Sequence, residues 1–213
     1  MEAMTRPTPR DVPSIGVDWA CASRAKPGER ETGDRAEVIP FPDGALIAAI
    51  DGLGHGEEAA AAARAACAAL AMDPSDNAIA LVRRCHLALA GSRGVAMSLA
   101  SVDVRRGVFT WIGVGNVEGV VVQTGPEGQS VRSRMINRGG VVGSALPLLR
   151  AEVLGFSPGD LFVLATDGID QRFADDLTRD LRRVEEIANG LLARFAKLND
   201  DALVLVARAG GVR

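Results

Sequence analysis

The sequence predicts an α+β fold in which two stacked, mostly antiparallel sheets are covered by helices on the outside. Three observations predict this arrangement. Short apolar runs separated by turn residues follow one another from residue 95 to residue 124, as expected for sequential strands. Helical spacing of apolar residues occurs in two separate places, within residues 57–90 and 184–196. About eight to ten strands are many for one open sheet, so two packed sheets are the economical arrangement.

The N-terminal part of the chain begins with a polar segment. Residues 1–13 contain three prolines and no apolar run, so we expect a mobile tail there. A short strand is expected over residues 14–22, and a charged loop follows over residues 24–35. The next strand, residues 45–50, runs directly into a segment with three glycines, residues 51–56.

Three helices are expected. The first, residues 57–72, is rich in alanine and begins with two glutamates whose negative charges suit the helix dipole. Pro74 separates it from a second helix that extends to about residue 90. The third, residues 184–196, has a clear apolar stripe with spacings of three and four residues.

The remaining strands are expected where apolar and β-branched residues form short runs between turn residues. They cover residues 95–104, 108–114, 119–124, 131–137, 151–156, 161–166 and 202–207. Residues 138–147 are rich in glycine and are expected to form a loop. Residues 170–182 are polar and show no clear pattern.

Composition and charge exclude several classes of protein. The net charge is −3 and the basic residues form no block, which argues against a nucleic-acid-binding protein. No stretch approaches the ~18 apolar residues of a membrane span, and the N-terminus lacks the apolar core of a signal peptide. The three cysteines include no CxxC pair, which excludes a zinc knuckle. We therefore expect a cytoplasmic protein with free thiols and a single domain over residues 14–210.

Two of the predicted strands end in the same way. Residues 45–50 run into Asp51-Gly52, residues 161–166 run into Asp167-Gly168, and a third acidic pair, Asp200-Asp201, precedes the last strand. An acid that ends one strand and an acid that begins an antiparallel neighbour lie at the same edge of a sheet. Such acids repel one another unless a cation lies between them. Mg²⁺ and Mn²⁺ prefer oxygen ligands, so these acids predict a metal site.

Each of these acids, taken alone, has a simpler explanation. Asp-Gly is a common turn pair, and Asp51 could serve only as a local cap in a strand-to-helix turn. The same holds for Asp34, which follows Gly33. The combination of four acidic sites, three of which border predicted strands, favours a metal site. His55 could be a ligand, a general acid or a structural hydrogen-bond donor, whereas His86 in the second helix is expected to be structural.

Two other kinds of catalytic site are not predicted. The sequence contains no Walker A motif and no GxGxxG after a strand, so a nucleotide cradle is not expected. It also contains no GxSxG elbow, which argues against a serine hydrolase.

The chain resembles the metal-dependent protein serine/threonine phosphatases, the protein phosphatase 2C superfamily, in an ordered set of motifs. These are Gly33-Asp34, Asp51-Gly52-Leu53-Gly54-His55-Gly56, Thr166-Asp167-Gly168 and Asp200-Asp201. The second motif, placed before an alanine-rich helix, is similar to that of the SpoIIE-like bacterial branch. Further motifs resemble the RsbX-like feedback phosphatases of the stressosome: Arg83-Arg84-Cys85-His86, Arg93-Gly94 and Gly113-Val114-Gly115-Asn116-Val117. The resemblance covers almost the whole chain.

The resemblance implies a four-layer α-β-β-α sandwich with two Mn²⁺ or Mg²⁺ ions at one rim. It implies that Asp51 bridges both ions and that the carbonyl of Gly52 is a further ligand. Asp167 and Asp200 are the implied ligands of the second ion. Asp200 is preferred to Asp201 because the family pattern places the ligand first in the acidic pair, and Asp201 stays an alternative.

Asp34 is implied to act near the first ion, through water, and with Asp51 it forms the implied catalytic pair. The implied reaction is hydrolysis of phosphoserine or phosphothreonine by a hydroxide that bridges the two ions. The implied partner is a phosphorylated STAS-type regulatory protein of the RsbS or RsbR kind. The alternative is a catalytically weak or inactive module with the same fold that sequesters such a partner.

The sequence departs from the family pattern in two respects. Leu53 occupies the position at which larger relatives often carry a histidine, so His55 or water is left as the general acid. Arg24 or Arg35 could take the place of the phosphate-binding arginine found early in the first strand of many relatives. Residues 138–150 are the expected substrate-facing loop.

Overall fold

The structure, a computed structural model, describes residues 16–125, 127–178 and 182–210. Ten strands and four helices lie within these residues. In chain order they are β1 (Val17–Arg24), β2 (Asp34–Phe41), β3 (Gly44–Gly52), α1 (Glu57–Ala71), α2 (Ala78–Ala88), β4 (Val95–Asp103), β5 (Val108–Val114), β6 (Glu118–Thr124), β7 (Ser130–Arg134), β8 (Glu152–Gly155), β9 (Leu161–Ala165), α3 (Phe173–Asp176), α4 (Val184–Phe195) and β10 (Ala202–Ala209).

The strands form two five-stranded sheets. Sheet I has the strand order β1-β10-β9-β6-β7, and sheet II has the order β2-β3-β4-β5-β8. Every pair of neighbouring strands in both sheets is antiparallel. The chain crosses from one sheet to the other between β1 and β2, between β5 and β6, between β7 and β8, and between β8 and β9, so loops from both sheets meet at common rims.

The two sheets pack face to face, with helices on both outer surfaces. Phe162 of sheet I lies 5.4 Å from Phe109 and 5.6 Å from Trp111 of sheet II, measured between ring centroids. A second apolar cluster joins α1 and α2 to the outer face of sheet II, and a third joins α3 and α4 to the outer face of sheet I. The predicted α-β-β-α sandwich is therefore confirmed.

The alternation of side chains along β3 decides where its terminal acid lies. Ile50 belongs to the cluster beneath α1 and α2, whereas Ala49 belongs to the cluster between the sheets. Because successive side chains of a strand point to opposite faces, Asp51 shares the face of Ala49. The carboxylate at the end of β3 therefore lies at the rim between the two sheets.

One strand and one helix were not predicted. The charged loop expected to extend to residue 35 ends earlier, and Asp34 begins β2. Arg35, Glu37 and Pro40 interrupt its apolar pattern, and an edge strand such as β2 tolerates polar residues and proline. The four-residue helix α3 lies where the sequence shows no pattern. The expected tail, residues 1–13, lies outside the described residues.

None of the helices in the described parts of the chain combines the length and the apolar character needed to cross a bilayer.

Candidate metal centre

Asp34 and Asp51 lie directly opposite each other across the β2–β3 pair. Asp34 is only 3% exposed, and Asp51 is half-buried. The hydroxyl of Thr166 donates a hydrogen bond to Oδ2 of Asp34 over 2.7 Å. Since Thr166 directly follows β9 of sheet I, this bond joins the two sheets at the rim.

Thr166 also connects β9 to the neighbouring strand β10. Its amide donates to the carbonyl of Leu203, and its hydroxyl accepts from the amide of Leu203 over 2.9 Å. This pairing sets the end of β9 beside the start of β10, as the antiparallel argument predicts. Asp167 and Asp200, which flank these positions, therefore reach the same rim as Asp34.

A close backbone contact fixes the turn after Asp167. A Cβ atom added to Gly168 would lie 1.7 Å from the carbonyl oxygen of Asp201, so only glycine fits there. Lys197 extends across this turn, where its amide donates to the carbonyl of Gly168 and its ammonium donates to the carbonyl of Asp167 over 2.5 Å. Asn116 completes the surroundings, because its Nδ2 donates to Oδ2 of Asp167 over 2.7 Å.

Burial and neighbouring negative charges raise the pKa values of three acids at this rim, Asp34, Asp51 and Asp167. Burial raises the pKa of Asp34 well above its ordinary value, and the charge of Asp51 adds to the effect. Burial raises the pKa of Asp51 to about 7, with contributions from Asp167 and Asp200. Burial and the charge of Asp200 also raise the pKa of Asp167. Four predicted site acids are thus close enough to repel one another.

The donor set fits a hard divalent cation. Its members are carboxylates from both sheets, of which Asp34 is buried and Asp51 and Asp200 are half-buried, and a cation between them relieves their repulsion. No three Asp, Glu, His or Cys side chains within the described ranges already converge on a single point. Two Mg²⁺ or Mn²⁺ ions would keep several water ligands between them. Carboxylates that hold two such ions therefore stand farther apart than carboxylates that surround a single ion. The ligand roles of Asp34, Asp51, Gly52, Asp167 and Asp200 stay predictions.

Asp201 has a different environment from Asp200. It is 4% exposed, and both of its carboxylate oxygens accept backbone hydrogen bonds, from Lys26 over 2.7 Å and from Gly33 over 2.8 Å. The carboxylate of Asp200 is half-buried and accepts a hydrogen bond from the amide of Asp201 over 3.0 Å. Asp201 therefore holds the β1–β2 loop, which favours Asp200 as the ligand.

The two histidines have different partners. Nδ1 of His55 lies 2.7 Å from Oε1 of Glu29, and the His55 side chain is 52% exposed. His55 is thus held by the β1–β2 loop, which agrees with the structural alternative. Nδ1 of His86 accepts a hydrogen bond from the amide of Gly143 over 2.9 Å, so His86 ties α2 to the glycine-rich loop.

The two candidate arginines lie in different places. Arg24 ends β1 at the rim, and its guanidinium donates to the carbonyl of Lys197. Arg35 is close enough to Cys67 of α1 to affect the pKa of that thiol, which places Arg35 on the helix side of sheet II. The loop after residue 137 also reaches the rim, because the backbone of Arg138 pairs with the end of β5.

The contacts that four residues make at this rim were not predicted from the sequence. They are Asn116, Thr166, Lys197 and Asp201. Asp201 was expected only as an alternative ligand, and Asn116 and Thr166 appeared only as members of the family motifs. Asn116 and Lys197 come from separate loops, and only the folded chain brings them to Asp167.

The chain resembles known proteins in sequence and in structure. A family model of stage II sporulation protein E (SpoIIE) matches residues 42–210. Phosphoserine phosphatase RsbX of Bacillus subtilis (strain 168) is 27% identical over 180 residues, which cover 83% of this chain and 86% of RsbX.

Two solved structures share the fold. One comes from the bacterial stressosome, a modular system that has been adapted to control secondary messenger signalling. It has a TM-score of 0.79 and is 28% identical in sequence, and the match covers 90% of this chain and 99% of that chain. The other is RsbX in complex with magnesium, with a TM-score of 0.79, 22% identity, and coverage of 90% and 94%. The comparisons confirm the predicted branch, its fold and the enzyme class, a protein serine/threonine phosphatase.

Proposed function

Because the chain belongs to the family of stage II sporulation protein E, we propose that it is a metal-dependent phosphatase that removes phosphate from serine or threonine of a regulatory protein. The observation that carries this proposal is the meeting of acids from both sheets at one rim. Asp34 and Asp51 come from sheet II, and Asp167 and Asp200 come from sheet I. Such a set can hold two divalent ions beside an open surface.

The proposed ligands follow from this placement. Asp51, which lies within electrostatic range of Asp167 and Asp200, would be shared by two ions. The Gly52 carbonyl would add an oxygen to the first ion, and Asp34 would act near that ion through water. Asp167 and Asp200 would hold the second. The predicted cofactors, Mn²⁺ or Mg²⁺, agree with this all-oxygen set and with the magnesium bound by RsbX.

The ions, when bound, supply an activated water and neutralise the phosphoryl oxygens. The chain's own residues hold this arrangement. Thr166 orients the carboxylate of Asp34 by a hydrogen bond, and Asp201 holds the loop that leads into Asp34. Water adds to phosphorus, the bond between phosphorus and the serine or threonine oxygen breaks, and that oxygen takes a proton. Serine or threonine and inorganic phosphate are the products.

The proposed substrate is a phosphorylated regulatory protein with a STAS-type fold, of the RsbS or RsbR kind. Two relatives support it: the phosphoserine phosphatase RsbX and the protein of the bacterial stressosome. The loop around Arg138, whose backbone is fixed to the end of β5, is the surface that we expect to face this partner.

We further propose that residues 14–210 form one phosphatase domain and that the protein acts in the cytoplasm, where its three free cysteines stay reduced.

The test uses a phosphoserine peptide and, separately, a phosphorylated STAS domain. We expect phosphate release with Mn²⁺, none in EDTA, and none from Asp51→Asn. Asp73→Asn is the matched control, because Asp73 is an exposed acid in the turn between α1 and α2. Release that continues in EDTA or in Asp51→Asn would refute the proposal. An inactive protein that binds fewer than two ions would support the sequestering module instead.

A further inference from the structure

We propose that Asn116 is the positioning residue of Asp167, which it holds so that one carboxylate oxygen is left for the second divalent ion. The inference rests on the proposed function, because it concerns a ligand of the proposed metal centre. Nδ2 of Asn116 donates to Oδ2 of Asp167 over 2.7 Å. An oxygen that accepts this bond has less freedom to rotate toward a metal, so Oδ1 becomes the preferred ligand atom.

The hydrogen bond joins the two sheets. Asn116 lies in the turn between β5 of sheet II and β6 of sheet I, and Asp167 follows β9 of sheet I. The preceding residue, Gly115, has a φ of +93°, and a Cβ added to it would lie 2.5 Å from Cβ of Ala96. Ala96 is the register partner of Asp51. The turn that carries Asn116 is therefore packed against the strand pair that carries Asp51.

The residue after Asn116 is fixed from inside the protein. Val117 is fully buried, and its carbonyl accepts hydrogen bonds from two side chains. The hydroxyl of Ser98, which is 0% exposed, donates over 2.7 Å, and Nδ2 of Asn137 donates as well. Buried polar groups with satisfied hydrogen bonds make a local conformation rigid. Asn116 thus presents its amide from a turn that is anchored on both sides.

The backbone of Asp167 is held independently. The ammonium of Lys197 donates to its carbonyl over 2.5 Å, and a close contact of Gly168 with Asp201 fixes the turn. Backbone contacts set where the Asp167 Cα lies but leave the torsions of its side chain free. The carboxylate itself accepts a hydrogen bond from the side chain of Asn116. The orientation of the carboxylate therefore depends on this residue.

The test measures Mn²⁺ binding by titration calorimetry, together with the thermal midpoint of the metal-free protein. Loss of an outer partner of a metal ligand costs about 10–100-fold in affinity. We expect Asn116→Ala and Asn116→Leu to weaken one of two Mn²⁺ sites by that factor, with the metal-free thermal midpoint unchanged. Asn189→Ala, which removes an exposed asparagine of α4, is the matched control and should bind as the wild type does.

A double-mutant cycle then separates positioning from a general structural effect. In an Asp167→Asn background, Asn116→Ala should cause no further loss of Mn²⁺ affinity, because the carboxylate on which it acts is gone. The inference is overturned if Asn116→Ala binds both ions as tightly as the wild type, or if the two substitutions weaken binding additively. A wild-type protein that binds no Mn²⁺ would overturn the proposed function as well, which distinguishes the two failures.

Discussion

The carboxylate of Asp201 accepts a hydrogen bond from the amide of Gly33 over 2.8 Å, although 168 positions separate the two residues in the chain. The other carboxylate oxygen accepts from the amide of Lys26. Asp201 thereby fixes both ends of the β1–β2 loop, immediately before Asp34 enters β2. One member of the acidic pair serves the loop, and its neighbour Asp200 is available to a metal.

The first prediction separates the two acids of this pair. Asp201→Asn replaces an acceptor oxygen by an NH₂ group that cannot accept a backbone hydrogen bond, so we expect a loss of about 1–3 kcal/mol in the free energy of unfolding. Asp200→Asn should leave the stability of the metal-free protein almost unchanged and abolish binding of one Mn²⁺ ion. Urea unfolding in EDTA and Mn²⁺ titration measure the two effects. The opposite pattern would assign the ligand role to Asp201.

The second prediction concerns the hydroxyl of Thr166. Thr166→Val keeps the shape of the side chain but removes the donor to Asp34 and the acceptor for the buried amide of Leu203. We expect a loss of about 1–3 kcal/mol in the free energy of unfolding, because these polar groups lose their partner. Thr166→Ser, which keeps the hydroxyl, is the control and should lose clearly less. Equal unfolding curves for the valine and serine variants would show that the hydroxyl contributes nothing.

The third prediction uses two glycines with different surroundings. At Gly168 an added methyl group meets the carbonyl oxygen of Asp201 at 1.7 Å, so Gly168→Ala should displace the turn after Asp167 and weaken Mn²⁺ binding. At Gly190, inside α4, the added methyl group meets nothing within 4 Å. Gly190→Ala should stabilise the protein by about 0.5–1 kcal/mol. Thermal unfolding and Mn²⁺ titration of both variants check this contrast, and normal Mn²⁺ affinity in Gly168→Ala would contradict it.

The fourth prediction concerns pH in the absence of metal. Burial and neighbouring charges raise the pKa of Asp51 to about 7, from an ordinary value of 3.8. A carboxyl whose pKa is raised on folding favours the folded state while protonated, so this contribution is complete below about pH 4 and is lost as the pH rises through 7. In EDTA, the stability difference between Asp51→Asn and the wild type should therefore grow in favour of the variant from pH 5 to pH 8.

Saturating Mn²⁺ is the control for the fourth prediction. The cation compensates the charge of Asp51, so the wild type should become the more stable protein at pH 8. Thermal midpoints at several pH values measure both conditions. A pH-independent difference in EDTA would mean that neither burial nor the neighbouring charges raise the pKa of Asp51.

The sequence predicted the parts of the fold whose pattern is local. The apolar runs that end in Asp51-Gly52 and Asp167-Gly168 correspond to β3 and β9, and the stripe over residues 184–196 corresponds to α4. The antiparallel argument also predicted that these acids share a rim, because a strand end and the start of its neighbour must be adjacent.

Other features depend on contacts between distant parts of the chain. β2 was missed because its polar residues are tolerated at a sheet edge, where apolar alternation is weak. The role of Asp201 depends on a loop from the other end of the chain. Asn116 meets Asp167 only because β5 and β9 belong to different sheets that end at the same rim. No local pattern encodes such contacts.

The most direct measurement of the central claim is an anomalous difference map from crystals of the protein grown with Mn²⁺. The account predicts two peaks about 3.5–4 Å apart at the rim between the sheets. The carboxylate of Asp51 should contact both peaks, and Asp167 and Asp200 should contact the second. An absence of manganese at this rim, or peaks that the side chains of Asp51 and Asp167 do not contact, would contradict it.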